Sequence, residues 1–555
     1  MEEQRELTML VYIASDNPLA PLVVSEIKAI KDAGFQKNTT VLVYFDPMVK
    51  GAPTQLLDVN HKRRKKENTV IGDGADPFVR NMIEDQVTRA ELTPAMSATL
   101  DPTATVTAFE SLRSFIEFAL KKRTAKNYML ILLGHGMIVG NDTFLPDDNP
   151  VSAVTLKQLK DLCRMFTRGR KTSLRLLGLH SCSMSSIEVA YQLKGKADYM
   201  LATQGTMLIN GWPYRQFLKK TLNTVKRARQ EHKPVNYDEL IGKLYFLCLF
   251  NFTDFMTAGY SCDIALCRLH PENFERLKKP LQSLVSALKR GLAPRVSIIK
   301  DLILLAHWDA QSFWSENYTD LWDFCDCLAK RCDDAKGGGL LRISKLCRAA
   351  QDVLAPENWR ERPQGIVRRA DNFGTEFQYA RGLSVYFPWC KPLDDQRATV
   401  HSEQDFDEQT QRQATRKTVL ENYKEYDFTR ELGDDSWLSF LLTYFDETKR
   451  DPRHDLGKTY FDTIKRDLDL SDRAAVRVYR RAEATFNNGV LKRTPDLKKT
   501  PDTGTDCTCP TIKNYPRRRY PPDSDRNVRQ FSITPGALRA FLPLRKGESV
   551  EPEDE

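Results

Sequence analysis

The chain has 555 residues, 41% hydrophobic and 28% charged, enough for one large core or two to three ordinary ones in a soluble globular protein. Its net charge of +9 is modest for that length and does not by itself point to nucleic acid. No apolar stretch is long enough to cross a bilayer, and the start, MEEQRELTMLVYIASDN, lacks the basic opening and small-residue cleavage site of a secretory leader.

Twelve cysteines are scattered along the chain, several in apolar surroundings such as Cys248 in LYFLCLF and Cys390 in YFPWC. Scattered thiols without a leader read as reduced, so a cytoplasmic protein is expected. Cys325, Cys327, Cys332 and Cys347 fit no zinc spacing and have no interleaved histidine. They read as small buried hydrophobes.

In chain order, TMLVYIA (8–14) predicts a strand and LAPLVVSEIKAIKDAG (19–34) a helix, with Gly34 at its C-terminal end. TTVLVYF (39–45) is a second strand. HKRRKK (61–66) reads as a solvated turn between edge strands. The spacing predicts a helix over 103–123, a fully apolar and hence central strand over 128–134, and a helix over 155–166. SLRLLGL (173–179) is a fourth strand, SSIEVAYQL the helix after it, and ADYMLATQ (197–204) a fifth strand. This alternation predicts an α/β fold, a mostly parallel sheet flanked by helices, with the functional site at the carboxyl ends of the strands.

Beyond about residue 215 the pattern turns helical, in KLYFLCLFNFTDF, NFERLKKPLQSLVSALKRGL, LWDFCDCLAKRC and GLLRISKLCRAAQDVL. GLSVYFPW (382–389) reads as a returning strand and SWLSFLLTYFDE (436–447) as a last helix. The expected division is a core over 1–215, a helical extension with one returning strand over 216–448, and a basic, proline-rich, largely disordered tail over 449–555.

Strand three ends in LLGHGM and strand four at Cys182, so His135 and Cys182 are expected on one rim if the strands are neighbours. A thiolate is the nucleophile, and an imidazole can take its proton and return it to a leaving amine. With a helix expected just after it, the thiol is also expected to feel a helix N-terminus. Gly136, lacking a side chain, leaves its N–H free to join that of Cys182 around a developing oxyanion. Taken singly, a Gly-His-Gly turn or a strand-end cysteine is commonplace. Met184 stands where a hydrolase nucleophile elbow would carry its second glycine.

The ordered set LILLGHG, LLGLHSCSMSSIEVAYQL, TMLVYIASDNPL, NGWPY (210–214), YTDLWDF (318–324), GLSVYFP (382–388) and SWLSFLLTYF (436–445) resembles the clostripain family of cysteine peptidases in the caspase-like clan, over roughly residues 5–447. The resemblance implies a caspase-like sheet and peptide hydrolysis through a thioester. It implies Cys182 as nucleophile, His135 as catalytic histidine, and Gly136 and Cys182 as oxyanion donors. His180, Thr203, Gln204, Gly211 and Trp212 are the implied substrate-binding residues. The implied partners are protein or peptide substrates, with no cofactor. Calcium enters only because some family members depend on it, and LPDDNP (145–150) reads first as a turn.

Two departures stand out. The family's aspartate two residues before the cysteine is His180 here, and TQGTMLINGWPY carries no carboxylate, so a pocket for a neutral side chain is expected rather than one for arginine or lysine. A carboxylate could still arrive from elsewhere, and Asp198 is close in sequence. Residues 136–156 contain no lysine or arginine at which the chain could mature itself. Together with a cytoplasmic setting, this leads to the expectation of a regulated effector, such as a bacterial antiviral-defence or cell-death protease, awaiting an activating ligand or partner protein. No membrane partner is expected. The competing expectations are an inactive caspase-like scaffold and, least favoured, a nucleic-acid protein acting through the RRRY-bearing tail.

Overall fold

A run such as LTMLVYIAS is apolar on both faces of a strand, so it needs cover on both sides. In the computed structural model, which describes residues 4–15, 19, 22–47, 55–59, 106–136, 144–148, 151–169, 171–257, 260–293, 298–313, 317–335, 337–354, 365–374, 376–392, 406–407, 412–413 and 418–448, helices supply that cover. The strands are β1 (Arg5–Ser15), β2 (Thr39–Pro47), β3 (Gln55–Asp58), β4 (Ala125–Leu133), the hairpin β5 (Phe144–Asp148) and β6 (Val151–Val154), β7 (Ser173–His180), β8 (Tyr199–Ala202), β9 (Cys262–Arg268), β10 (Ser312–Phe313), β11 (Tyr318–Asp320), β12 (Val367–Phe373) and β13 (Ser384–Tyr386). An eight-stranded sheet runs in the order β12-β9-β8-β7-β4-β1-β2-β3. Its middle five strands, β8, β7, β4, β1 and β2, are parallel, while β3 and β9 run against them.

The helices are α1 (Val24–Asp32), α2 (Ala108–Lys122), α3 (Leu156–Arg164), α4 (Ile187–Gln192), α5 (Tyr214–Gln230), α6 (Tyr237–Thr257), α7 (Pro271–Leu292), α8 (Ile298–Asp309), α9 (Leu321–Ala335), α10 (Gly338–Leu354), α11 (Val419–Lys424), α12 (Asp427–Leu432) and α13 (Trp437–Thr448). Alternation along the strands sorts the core into two layers. Leu10, Tyr12, Leu42, Tyr44, Leu130 and Leu132 face α2, α3 and α4, and this layer continues into α7–α13. Met9, Val11, Ile13, Val43, Met129 and Ile131 face α1, α5 and α6. Each such aliphatic side chain, fully buried, contributes about 1.5–3 kcal/mol by area. Thr107 and Glu110 form a reciprocal capping box that starts α2, five residues later than its apolar pattern begins. Gly34 takes φ +78° just past α1, where its N–H caps Lys31 O.

Three stretches differ from the sequence expectation. Within residues read as a helical extension, β9 and β12 add to the central sheet, so the sheet runs on past residue 215. CDIALCR is short and apolar, and periodicity alone does not separate such a run from a buried helix segment. GLSVYFPW yields only β13, which joins β11 and β10 in a separate three-stranded sheet. LPDDNP supplies most of β5, with Asp147 buried, rather than a plain turn. HKRRKK and the stretch 449–555 lie outside the described residues, and no described helix is long and apolar enough to cross a membrane.

Candidate active site

β4 and β7 are parallel neighbours, with Leu133 opposite His180 at the last paired position. Gly134 N–H still reaches His180 O. Two residues past the ends of these strands come His135 and Cys182, so both belong to loops leaving the same carboxyl edge. His135 is exposed, with its carbonyl accepting Leu145 N–H from β5. Gly136 packs directly on the Cys182 peptide, where a Cβ would stand 1.7 Å from the Cys182 carbonyl oxygen.

The thiol does not lie at a helix N-terminus. α4 begins only at Ile187, capped by the Ser186 hydroxyl on Val189 N–H, and Cys182 precedes it by an irregular loop with Ser183 at φ +54°. A helix dipole fades within its first turn, so it does little for this sulfur. Backbone contacts act on it instead. Met207 N–H donates to Sγ at 3.3 Å, and Sγ–H points to Met207 O at 3.6 Å. Burial pushes the thiol above its ordinary pKa, the Met207 amide opposes that, and the Asp263 charge adds to it. The resting sulfur is a protonated thiol capped by the loop after β8.

His180 is an internal residue. Its Nε2–H donates to Leu208 O at 3.0 Å, which leaves Nδ1 to accept the Tyr214 hydroxyl at 2.9 Å. The ring stacks on Trp212 at 4.8 Å and 4°. Burial pulls its pKa down to about 4, so it is a neutral imidazole at ordinary pH. The remaining residues that the resemblance marks for substrate binding are also inside. Thr203 hydroxyl donates to Ser181 O, and Gln204 bridges Asp320 and the amide of Gly382. Gly211 lies against Met207 Sδ and Trp212 beneath Gly178, both buried. In this conformation they hold the loops around Cys182 from below. Asp198 sits at the amino end of β8, ion-paired with Arg175 at 2.7 Å, on the edge opposite Cys182.

Sequence reading passed over three groups that shape the site. Met207 caps the sulfur through its backbone, which no side-chain pattern signals. Ser183 and Ser185 bond the nucleophile loop to Gln204 O, Thr203 O and Gly382 O. Asp263, a lone charge in the apolar run CDIALC, accepts the Gln204 and Gly205 amides. That isolated carboxylate was the one legible signal. Cys325, Cys327, Cys332 and Cys347 are fully buried in the packing of α9 and α10. Among the described residues, no group of three or more His, Cys, Asp or Glu is placed to hold a metal ion, Asp147 and Asp148 included.

The Clostripain family model matches residues 11–337. This chain belongs to the clostripain family. It is accordingly a cysteine peptidase with peptide substrates. Among solved structures it is similar to an inactive zymogen C11 protease from Parabacteroides distasonis, at 18% identity and TM-score 0.43, covering 70% of this chain and 93% of that one. The secreted C11 protease "iotapain" of Bacteroides thetaiotaomicron shows 14% identity and TM-score 0.43, over 78% of this chain and 100% of that one. A secreted C11 cysteine protease from the same organism, in complex with an irreversible peptide inhibitor, shows 14% and 0.37, over 68% and 88%. A comparison with curated proteins finds no match.

Proposed function

We propose that this peptidase is an endopeptidase in which Cys182 is the nucleophile and His135 the general acid–base. The observation that carries the reading is the β4–β7 register, which sets both residues two steps past Leu133 and His180. Because burial keeps the thiol protonated, a base is needed at the moment of attack, and the exposed imidazole on the next strand is suited to that task. The thiolate attacks the scissile carbonyl. Gly136 N–H and Cys182 N–H then stabilise the oxyanion, the imidazolium protonates the leaving amine, and water hydrolyses the thioester.

The preferred side chain before the scissile bond is neutral. His180 is uncharged and fully bonded, and Asp198 belongs to the far edge. The enzyme is restrained at rest, which the Met207 cap on the sulfur and the absence of lysine and arginine from 136–156 both support. A role as a regulated cytoplasmic effector, for example in bacterial defence, goes with that restraint. The ten described cysteines are free thiols, as a reducing compartment keeps them.

Proteome-wide cleavage-site mapping with wild type, Cys182→Ala and His135→Ala tests the reading. Cuts after neutral residues that vanish in both variants are expected. Cuts that persist in Cys182→Ala would overturn the nucleophile, and cuts after arginine or lysine would overturn the pocket. A wild type that cuts nothing, even in stressed-cell extract, would favour the inactive scaffold.

A further inference from the structure

The loop carrying Cys182 meets β13 at its far end, where Ser384 N–H donates to Ser185 O, and the loop after β8 along the rest. Ser185 N–H donates to Thr203 O at 2.7 Å and Ser183 N–H to Gly205 O at 3.0 Å. Ser183 Oγ–H donates to Gln204 O at 3.1 Å, and Met207 holds the sulfur from both sides. The contacts to the sulfur and to Ser183 thus come from residues 204–207.

What places those residues is a side chain. The β8–β9 ladder ends with Ala202 opposite Ala265. Two steps further along the register, Asp263 takes over from the backbone. Its Oδ2 accepts Gln204 N–H at 2.7 Å and its Oδ1 accepts Gly205 N–H at 2.8 Å. Two charge-assisted bonds to successive amides fix both the position and the tilt of a peptide. Asp263 is 2% exposed, so water does not compete for it. With both oxygens on backbone amides, it is not the anion of a pocket for basic side chains.

We propose that Asp263 is the positioning residue of the nucleophile: it holds the Gln204–Gly205 peptide, and through it sets Met207 and Ser183 against Cys182. This rests on Cys182 being the nucleophile. Replacing the carboxylate by an amide turns one acceptor into a donor facing an N–H. The loop then loosens, the cap on the sulfur opens, and attack geometry is lost. The sulfur becomes easier to reach and worse at its task.

The test compares wild type, Asp263→Asn and Asp263→Glu. Iodoacetamide alkylation is read cysteine by cysteine by mass spectrometry, with the core thiols Cys163, Cys248 and Cys325 as internal controls, beside peptide hydrolysis. In Asp263→Asn, alkylation of Cys182 rises about fivefold or more with the controls unchanged, while kcat falls about tenfold or more. Asp263→Glu keeps the carboxylate but displaces it by one methylene, so alkylation of Cys182 rises and kcat falls, each by about threefold. Rates unchanged in folded Asp263→Asn overturn the proposal, as does a rise shared by all four cysteines, the mark of general loosening. Should Asp263→Asn not fold, Asp263→Glu decides, and wild-type rates in that variant overturn it. Hydrolysis that persists in Cys182→Ala sinks the nucleophile itself. A wild type that cuts, beside variants with unchanged rates, sinks only the role of Asp263.

Discussion

Gly136 lies so close to Cys182 that a Cβ on it would stand 1.7 Å from the Cys182 carbonyl oxygen and 2.8 Å from its amide nitrogen. Backbone, not a yielding side chain, occupies that space. Gly136→Ala must therefore push apart the two strand ends that bear His135 and Cys182. Hydrolysis should fall by about 100-fold or more, with a stability loss of about 1–3 kcal/mol. Steady-state kinetics beside a urea melt checks both, and an alanine variant with wild-type kcat/KM would remove Gly136 from the site.

His180 gives stability a pH dependence of known sign. Its folded pKa, about 4, lies below the ordinary value of 6.5. Between those values the unfolded chain binds the extra proton, so its contribution is full above about pH 6.5 and lost as pH falls toward 4. The shift corresponds to about 3 kcal/mol. Asp263 and Asp320, pushed up to about 6 and about 7 by burial, act with the opposite sign in an overlapping window. The difference between wild type and His180→Gln isolates the histidine. Urea midpoints from pH 4 to 8 should show the wild-type advantage shrinking as pH falls, and a constant difference would place the His180 charge elsewhere.

Glu188 in α4 is fully buried, and burial raises its pKa. Oε1 accepts Tyr386 N–H at 2.8 Å and the Tyr423 hydroxyl at 2.6 Å. A glutamine oxygen can accept the same two bonds without any charge to desolvate. Glu188→Gln should change stability by less than about 1 kcal/mol, whereas Glu188→Ala strands both donors and should cost about 2–4 kcal/mol. Denaturant unfolding of the two variants reads the contrast, and equal losses would contradict a role for Glu188 as an acceptor of these two bonds.

Gly178 in β7 leaves room for the Trp212 ring, whose Cζ3 would stand 2.9 Å from an added Cβ. That ring also stacks on His180 and on Phe217 at 6.0 Å. Gly178→Ala should cost about 1–3 kcal/mol by overpacking and tilt the indole. Lower melting temperature with altered tryptophan fluorescence is the expected pair, and an unchanged melt would mean that the ring yields freely.

The parallel strands and the helices between them were legible through about residue 204 because β1, β2, β4 and β7 are apolar runs bounded by turn residues, whose order alone implies a parallel sheet; β3 and the β5–β6 hairpin were not. β9 and β12 were not, since a seven-residue apolar run does not declare its period, and VRRADNF in β12 is mixed in character. Residues that act through backbone atoms, Met207 above all, leave no signature in side-chain type.

The sequence by itself determined which chemical groups are present and the strand ends that carry them: a thiol at Cys182, an imidazole at His135, and glycine where no Cβ can fit. It also excluded an aspartate at position 180. Tertiary structure decided what state those groups are in. The β4–β7 register put the loops bearing His135 and Cys182 at one edge, burial made His180 neutral and kept Cys182 a thiol, and the late start of α4 withheld the dipole. Register, desolvation and backbone hydrogen bonds are relations between distant segments, and a one-dimensional pattern carries only the residues on which they act.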